Sequence, residues 1–272
     1  MSAIRSANAS FTPYERSELD QSIPDRFEKI VTSSYDRIAV QSGTSIFTYD
    51  ELNRSANRLA HALLQRCERI EEPVGLIVDD ECLAVAAILG VLKAGKFYVP
   101  LDRSFPVARL SSVLDDCRIR VFVTENKHRD WLLDLVGNRT LICIDDLDAT
   151  FSPENTHLTL SADGIAAVLY TSGSTGQPKG VIQTHRTLLH RVMLCTNAFA
   201  VRREDRFSLV SAPTYSASVR SVLSALLNGA ALFPFNTLKE GTAELGDWLS
   251  RNGITIYFSV PSVFRRWACS PG

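Results

Sequence analysis

The sequence predicts an α/β protein with two helix-flanked, mainly parallel sheets. From residue 23 onwards, short runs rich in β-branched and aromatic residues alternate with segments of helical hydrophobic period. This alternation is typical of parallel sheets covered by helices. The 272 residues, 45% of them hydrophobic and 22% charged, suffice to bury a substantial core in one large domain or two ordinary ones.

The first predicted lobe spans residues 23–150 and follows a polar tail, residues 1–22, that we expect to be loose. Its first helix lies in "SIPDRFEKIV", and two short strands flank a turn in "IAVQSGTSIFT". Thr48 and Glu51 form a capping-box signature at the start of a long helix. Further strands are predicted in "VGLIV", "KFYVPLD", "RVFVTE" and "RTLICID", and further helices in "CLAVAAILGVLKAG", from Pro106 to Cys117 and over 128–136.

The second predicted lobe spans residues 151–272 and begins with the polar connection "SPENTHLTLSADG". The alternation then resumes, so we expect a second sheet of the same kind. Its strands are predicted in "IAAVLYT", "GVIQT", "RFSLVSAP", "ALFPF" and "ITIYFSV", and its helices over 185–200, 217–228, 240–252 and from Pro261.

Charge and cysteine usage narrow the class of partner. Twenty-nine basic and thirty acidic residues leave a formal charge of −1, which argues against nucleic-acid binding. Six scattered cysteines form no zinc-site spacing, so no metal site is predicted and the thiols are expected to be buried in a reducing cytosol. The N-terminus lacks the apolar core of a signal peptide, and "LAVAAILGVL" is too short to cross a bilayer. We therefore expect a cytoplasmic protein that acts on small molecules or proteins.

The segment "YTSGSTGQPKGV", residues 170–181, carries the chemistry. It fits neither the P-loop pattern nor the dinucleotide-binding pattern. Gly173 and Gly176 allow successive N–H groups to converge on an anion, and Lys179 supplies a mobile positive charge. This composition favours a polyphosphate site, whereas the alternative is an ordinary hairpin loop that needs glycine for turn geometry alone. Further donors around the same site are the hydroxyls of Thr171, Ser172, Ser174 and Thr175.

The same segment resembles the phosphate-loop motif of the AMP-forming adenylation superfamily, the AMP-dependent synthetases and ligases. "LKAGKFYVPLD" and "FTYDELNRSANRLAHALL" also resemble motifs of this family, and its nonribosomal peptide synthetase adenylation domains are the most similar branch. The resemblance implies the fold of the N-terminal domain of adenylate-forming enzymes. It also implies Mg²⁺-dependent use of ATP to convert a carboxylic acid to an acyl-adenylate, for transfer to a carrier-protein or CoA thiol. In that family, residues matching 171–176 and Lys179 hold the β- and γ-phosphates.

The chain departs from the amino-acid-activating pattern at the substrate pocket. Tyr215-Ser216 stands where those domains have Phe-Asp, and a serine cannot neutralise a buried ammonium. We therefore expect an acid without a free α-amine, that is, an aryl, keto, hydroxy or fatty acid. Arg220 takes the place of a large apolar pocket residue and could contact an anionic substrate group; the alternative is a helix arginine that faces solvent.

The resemblance covers only the N-terminal portion of the family's catalytic unit. Residues 260–272 contain no adenine-contacting segment, ribose-binding aspartate or catalytic lysine, so no catalytic residue is predicted and ATP binding is expected to be weak. An inactive remnant, or one half of a split enzyme that pairs with a complementary C-terminal chain, is the alternative to an active ligase. Such a truncation would leave "ALFPF" and "ITIYFSV" with an exposed apolar face or an unpaired edge.

Two other groups of residues are interpreted as structural. His185 is expected to cap a helix or lie on the surface. The run Asp79-Asp80-Glu81 is expected to place acidic groups at a helix N-terminus, where the helix dipole favours them, and not to bind a metal.

Overall fold

The computed structural model describes residues 11–67, 71–147, 150–172, 178–210 and 216–268. Strands and helices alternate as predicted over most of this length. The strands are β1 (Ile38–Ser42), β2 (Ser45–Thr48), β3 (Pro73–Ile77), β4 (Phe97–Pro100), β5 (Val121–Thr124), β6 (Thr140–Cys143), β7 (Ile165–Ser172), β8 (Pro178–Thr184), β9 (Arg206–Leu209) and β10 (Ala231–Pro234). The helices are α1 (Ile23–Ser34), α2 (Tyr49–Arg66), α3 (Glu81–Lys93), α4 (Val107–Asp116), α5 (Arg129–Val136), α6 (His185–Phe199), α7 (Ser216–Leu226), α8 (Thr237–Glu240), α9 (Leu245–Arg251) and α10 (Pro261–Ala268).

The strands form two mainly parallel sheets, which confirms the predicted fold class. Sheet A has the order β2-β1-β10-β9, with only the β1–β2 pair antiparallel. Sheet B has the order β6-β5-β3-β4-β7-β8, with only the β7–β8 pair antiparallel. The expected division at residue 150 does not separate the sheets, because β1 pairs with β10 and β7 joins the sheet of β3–β6. Pairing between distant strands, rather than chain order, determines the layers.

Helix α3 lies between the two sheets. It contacts β1 and β2 of sheet A and β3 and β4 of sheet B, and nearly all of its residues are buried. A helix that is apolar on every side requires such a position. Gly90 lets α2 approach α3, since a Cβ at this position would lie 2.8 Å from the Ala56 carbonyl oxygen.

Helix starts follow the local signals in the sequence. Ser22 caps α1 and Thr48 caps α2, each within a capping box. The N-terminal tail, residues 1–22, was expected to be loose, but the structure fixes it at Tyr14. This residue is buried, and its main-chain N–H and C=O bond to the side chain of Asn197 at 2.8 and 3.0 Å. Contacts with α6 therefore hold the chain from residue 14, before the first predicted helix.

Three local expectations near the C-terminal part of the chain are wrong. The predicted helix over 240–252 begins later, as α9 at Leu245, because Gly241 takes a left-handed conformation with φ +76° directly after the short helix α8, which ends at Glu240. "ITIYFSV" forms a single bridge at Ile256, since the Phe258 N–H bonds to the Ser208 hydroxyl instead of a strand carbonyl. "ALFPF" has no open edge, because β10 is paired on both sides.

The polar connection, residues 152–164, is held against α2 and α3. The Asn155 side-chain oxygen accepts hydrogen bonds from Asn53, Asn57 and Lys93 at 3.2, 3.0 and 3.1 Å. Lys93 is buried and also pairs with Glu28. Burial lowers the pKa of Lys93, and the Glu28 carboxylate opposes this shift. The connection is thus an integrated part of the fold.

Asn155→Ala should lower the free energy of unfolding by about 1–3 kcal/mol, because three donors, one of them a buried cation, lose a shared acceptor. Urea unfolding measures the change. Thr159→Ala, at an exposed position in the same connection, is the matched control and should change stability by less than about 0.5 kcal/mol. Equal midpoints for the two variants would contradict the role given to Asn155.

Candidate phosphate-binding site

The predicted phosphate-binding residues lie on the β7–β8 hairpin. The ladder runs from the Ile165–Thr184 pair to the Ser172–Pro178 pair, and residues 173–177 connect its last two partners. Gly173, Ser174, Thr175 and Gly176 lie outside the described residues, as does the side chain of Ser172. The hairpin of the alternative interpretation is therefore present, with the glycine-rich segment as its connection.

Thr171 and Lys179 are brought together by this hairpin. They are direct partners in the ladder, and both are exposed. The Thr171 hydroxyl lies 3.5 Å from the Lys179 carbonyl oxygen, to which it donates. No carboxylate among the described residues forms an ion pair with Lys179, so its ammonium remains available to a ligand.

The β7–β8 ladder bears on which backbone N–H groups of this segment are free to bind a ligand. Tyr170, Thr171 and Ser172 pair with Gly180, Lys179 and Pro178, and in an antiparallel ladder only alternate residues turn their N–H groups towards the partner strand. The predicted convergence of N–H groups at Gly173 and Gly176 lies outside the described residues.

Tyr170 links the end of the hairpin to α4. Its hydroxyl donates a hydrogen bond to the Asp116 carboxylate and lies 3.1 Å from the Cys117 sulfur. Burial raises the pKa of Tyr170, and the hydrogen bond to Asp116 raises it further, because both disfavour the phenolate. Sequence reasoning did not identify this contact, since Asp116 is 54 positions away from Tyr170.

His185 follows the hairpin and is buried against the start of α1. Thr184, not His185, caps α6, with its hydroxyl accepting from the Thr187 N–H. His185 is buried, and its Nδ1 accepts a hydrogen bond of 3.2 Å from the Ile23 N–H at the start of α1. Burial lowers the pKa of His185 to about 4, so the ring is neutral at physiological pH. The structural role was predicted, whereas the cap or surface position was wrong.

The predicted substrate-pocket residues belong to the start of α7. Tyr215 lies outside the described residues, and Ser216 begins α7, with its side chain not described. Arg220 is half-buried and does not extend into solvent: its guanidinium carbon lies 4.1 Å above the centre of the Phe258 ring. Its Nε atom is buried and has no hydrogen-bond partner in the part of the chain that is described. Helix α6 contacts both α7 and β8, and so links this region to the hairpin.

The acidic run Asp79-Asp80-Glu81 has the predicted helix-start role. Asp80 caps α3 by accepting from the Leu83 N–H at 2.9 Å, and Asp79 pairs with His128 Nε2 at 2.9 Å. The buried Glu125 carboxylate accepts from the Asp79 N–H at 2.5 Å. These side chains therefore satisfy one another at the carboxyl ends of β3 and β5.

A polar groove of about 360 Å³ lies at the other sheet. It is found where the carboxyl ends of β1 and β10 meet, and Ser42, Glu81, Trp248 and Arg251 are among its lining residues. None of the predicted site residues lines it.

No helix within the described ranges has the length and apolar character needed to cross a membrane.

Comparison with known proteins identifies related sequences and structures. A family model described as "AMP-binding enzyme" matches residues 27–271. Gramicidin S synthase 2 of Brevibacillus brevis is 35% identical over 249 residues, which cover 90% of this chain and 6% of the synthase.

Two solved structures share the fold. The AMPPNP-bound form of the nonribosomal peptide synthetase FmoA3 superposes with a TM-score of 0.82 and 29% identity, covering 95% of this chain and 27% of that one. NpsA-ThdA, an artificially fused adenylation–PCP di-domain from Klebsiella oxytoca, gives a TM-score of 0.77 and 25% identity, covering 90% of this chain and 49% of that one. This chain therefore spans less than half the length of each of these proteins.

Stability should fall as the pH drops from about 6.5 to about 4, because unfolding frees the buried, neutral His185 to bind a proton. The loss from this group is up to about 3 kcal/mol and is absent above the ordinary histidine pKa. Urea unfolding at several pH values measures it. His185→Asn should flatten the profile between pH 6.5 and 4, whereas His190→Asn, at an exposed position of the same helix, should leave it unchanged. Identical profiles for wild type and His185→Asn would refute the assignment.

Proposed function

Because this chain belongs to the AMP-binding enzyme family, as its motifs predicted, we propose that it works as the phosphate-binding portion of an adenylate-forming ligase. In the proposed reaction, a carboxylate oxygen of the substrate attacks the α-phosphorus of ATP. The bond to the pyrophosphate leaving group breaks, and an acyl-adenylate forms. A thiol then attacks the acyl carbon, loses its proton and displaces AMP. We place this activity in the cytoplasm, where ATP is available.

The observation that carries this proposal is the placement of the glycine-rich segment on the β7–β8 hairpin. Thr171 and Lys179 flank the segment as ladder partners and are exposed. A hydroxyl donor and a mobile ammonium are suited to an anionic phosphate chain, and residues 173–177 contribute two more hydroxyls and glycine amides. AMPPNP occupies the related FmoA3 structure, which supports a nucleotide as the ligand.

The proposed role of the hairpin is to hold the β- and γ-phosphates while the α-phosphorus is attacked. ATP enters with its bound Mg²⁺, which neutralises part of the phosphate charge. Lys179 would stabilise the charge that develops on the departing pyrophosphate, and the hydroxyl of Thr171 would orient it. The described side chains thus supply positioning and charge, and no nucleophile or general base is assigned to them.

For the substrate, we propose a carboxylic acid without a free α-amine. Ser216, at the first position of α7, offers no carboxylate for a substrate ammonium. Arg220 has a buried Nε donor without a partner in the described chain, which would suit a polar or anionic group on the acid. For the acceptor, we propose the thiol of a carrier protein, as the fused PCP of the related NpsA-ThdA suggests.

Lys179→Ala should weaken ATP binding about tenfold or more, because a charge-assisted contact to phosphate is worth roughly 1.5–3 kcal/mol. ATP-dependent pyrophosphate exchange and direct nucleotide titration of the purified protein measure the effect. Lys29→Ala, which removes an exposed positive charge on α1, is the control and should leave ATP binding unchanged. An equal effect of both substitutions would argue against a specific phosphate contact.

Wild-type protein should support pyrophosphate exchange with 3-phenylpropanoic acid better than with phenylalanine, which differs from it by the α-amine. Ser216→Asp should reverse the order by at least about tenfold, because the new carboxylate neutralises the ammonium. The control is Ser216→Asn, which has the shape of the aspartate side chain without its charge. Ser218→Asp would not serve as a control, because Ser218 is fully buried. A wild-type preference for phenylalanine would contradict the proposed acid class, and no exchange with any acid would favour the inactive remnant.

A further inference from the structure

We propose that Tyr170 is a positioning residue, which fixes the end of the β7–β8 hairpin to α4 and thereby positions Thr171 and Lys179, the described residues of the candidate phosphate-binding site. This inference rests on the proposed function, since it concerns the same site. It adds a residue to which the phosphate-binding pattern of glycines, hydroxyls and lysine assigns no role.

The end of the hairpin lacks the support that sheet B gives to the rest of it. β4 pairs with β7 at Tyr98–Ala167, and this parallel register brings Pro100, the last residue of β4, level with Leu169. Tyr170 and the residues after it therefore extend past β4. Strand β8 is the edge of the sheet, so no described strand supports the hairpin from the other side of β8. Two strands alone form a weak structure, so the end of the hairpin requires a further contact.

Tyr170 provides this contact, because its side chain extends across Gly180, its partner in the β7–β8 ladder. It lies directly opposite Gly180 on β8. A Cβ at Gly180 would lie 3.3 Å from the Tyr170 Cζ and 3.4 Å from its hydroxyl oxygen, and 3.0 Å from a methyl carbon of Val168. The ring therefore covers the glycine, an arrangement that stabilises glycine in edge strands. Gly180 is not among the glycines with positive φ, so the Val168 methyl group and the Tyr170 ring, and not backbone strain, account for a glycine here.

On the far side of Gly180 the hydroxyl of Tyr170 reaches the last residues of α4. It donates to the carboxylate of Asp116 and contacts the sulfur of Cys117. A hydrogen bond to a charged acceptor is among the stronger kinds, and the raised pKa of Tyr170 keeps its proton in place. Helix α4 itself is packed into the core through Leu110, Val113 and Leu114. The hairpin end is thus tied to a rigid element, one residue before Thr171.

Removing the hydroxyl alone tests the inference. Tyr170→Phe keeps the ring over Gly180 and loses the bond to Asp116, and Asp116→Ala loses the same bond from the other side. Both should weaken ATP binding about fivefold to tenfold, because Thr171 and Lys179 are less well positioned. Affinity for the carboxylic acid should change by less than about twofold. Asp116→Asn, which keeps an acceptor, should recover most of the ATP affinity.

Tyr49→Phe is the matched control for a loss of stability. The Tyr49 hydroxyl is buried and donates to the Ala230 carbonyl at 2.8 Å, in the region of sheet A. This substitution should lower the melting temperature and leave ATP binding at the wild-type value. Hydrogen–deuterium exchange of the nucleotide-free protein gives a second readout: Tyr170→Phe should speed exchange in peptides covering β7 and β8, and Tyr49→Phe should not.

The outcomes separate the two proposals. Wild-type exchange in the hairpin peptides and wild-type ATP affinity in Tyr170→Phe would overturn the positioning role, whatever the melting temperature. Faster exchange in the hairpin with weaker ATP binding would support it. Faster exchange in Tyr170→Phe, together with no ATP binding by the wild-type protein, would support the tie to α4 and count against the proposed function.

Discussion

Burial of α3 between the two sheets is the constraint on which the rest of the structure depends. The helix touches strands of both sheets, so its apolar residues form one continuous core with them. Its close packing on α2 at Gly90 fixes the distance between these two helices, since no side chain of residue 90 separates them there. Strand β4 follows α3 directly and pairs with β7, which forms the candidate phosphate-binding hairpin together with β8. The position of that hairpin therefore depends on the packing of α3, a helix that has no part in the proposed chemistry.

Local features of the fold could be predicted because they depend on neighbouring residues. Capping boxes at Ser22 and Thr48, hydrophobic period and strand composition all act within a few positions, and these elements are present. The arrangement of strands could not be predicted, because β1 pairs with β10 across about 190 residues and no local signal marks a partner. The late start of the helix predicted over 240–252 arose from Gly241, whose left-handed φ depends on the chain around it.

The candidate site shows the same limit. Thr171 and Lys179 were predicted from the motif as phosphate-binding residues, and this role stays a prediction; the structure shows that they are partners across the hairpin. Two neighbouring contacts were not predicted: Tyr170 bonds to Asp116 of another helix, and His185 is buried against the start of α1. Gly180 illustrates the difference between pattern and cause. Its presence is evident from the sequence, but the Val168 and Tyr170 side chains that leave no room for a Cβ there are identified only when β7 and β8 are placed side by side.

The interleaving of the sheets also affects the order in which the chain can fold on the ribosome. Strands β3 to β8 are contiguous in the chain, so sheet B can assemble once residue 184 has emerged. Strands β1 and β2, made first, have no sheet to join until β9 and β10 emerge some fifty residues later. During that interval β1 and β2, the strands of sheet A that contact α3, are a two-stranded pair without their parallel partner β10. Nascent chains are therefore most exposed to misassembly and chaperone binding while residues 185–234 are being synthesised.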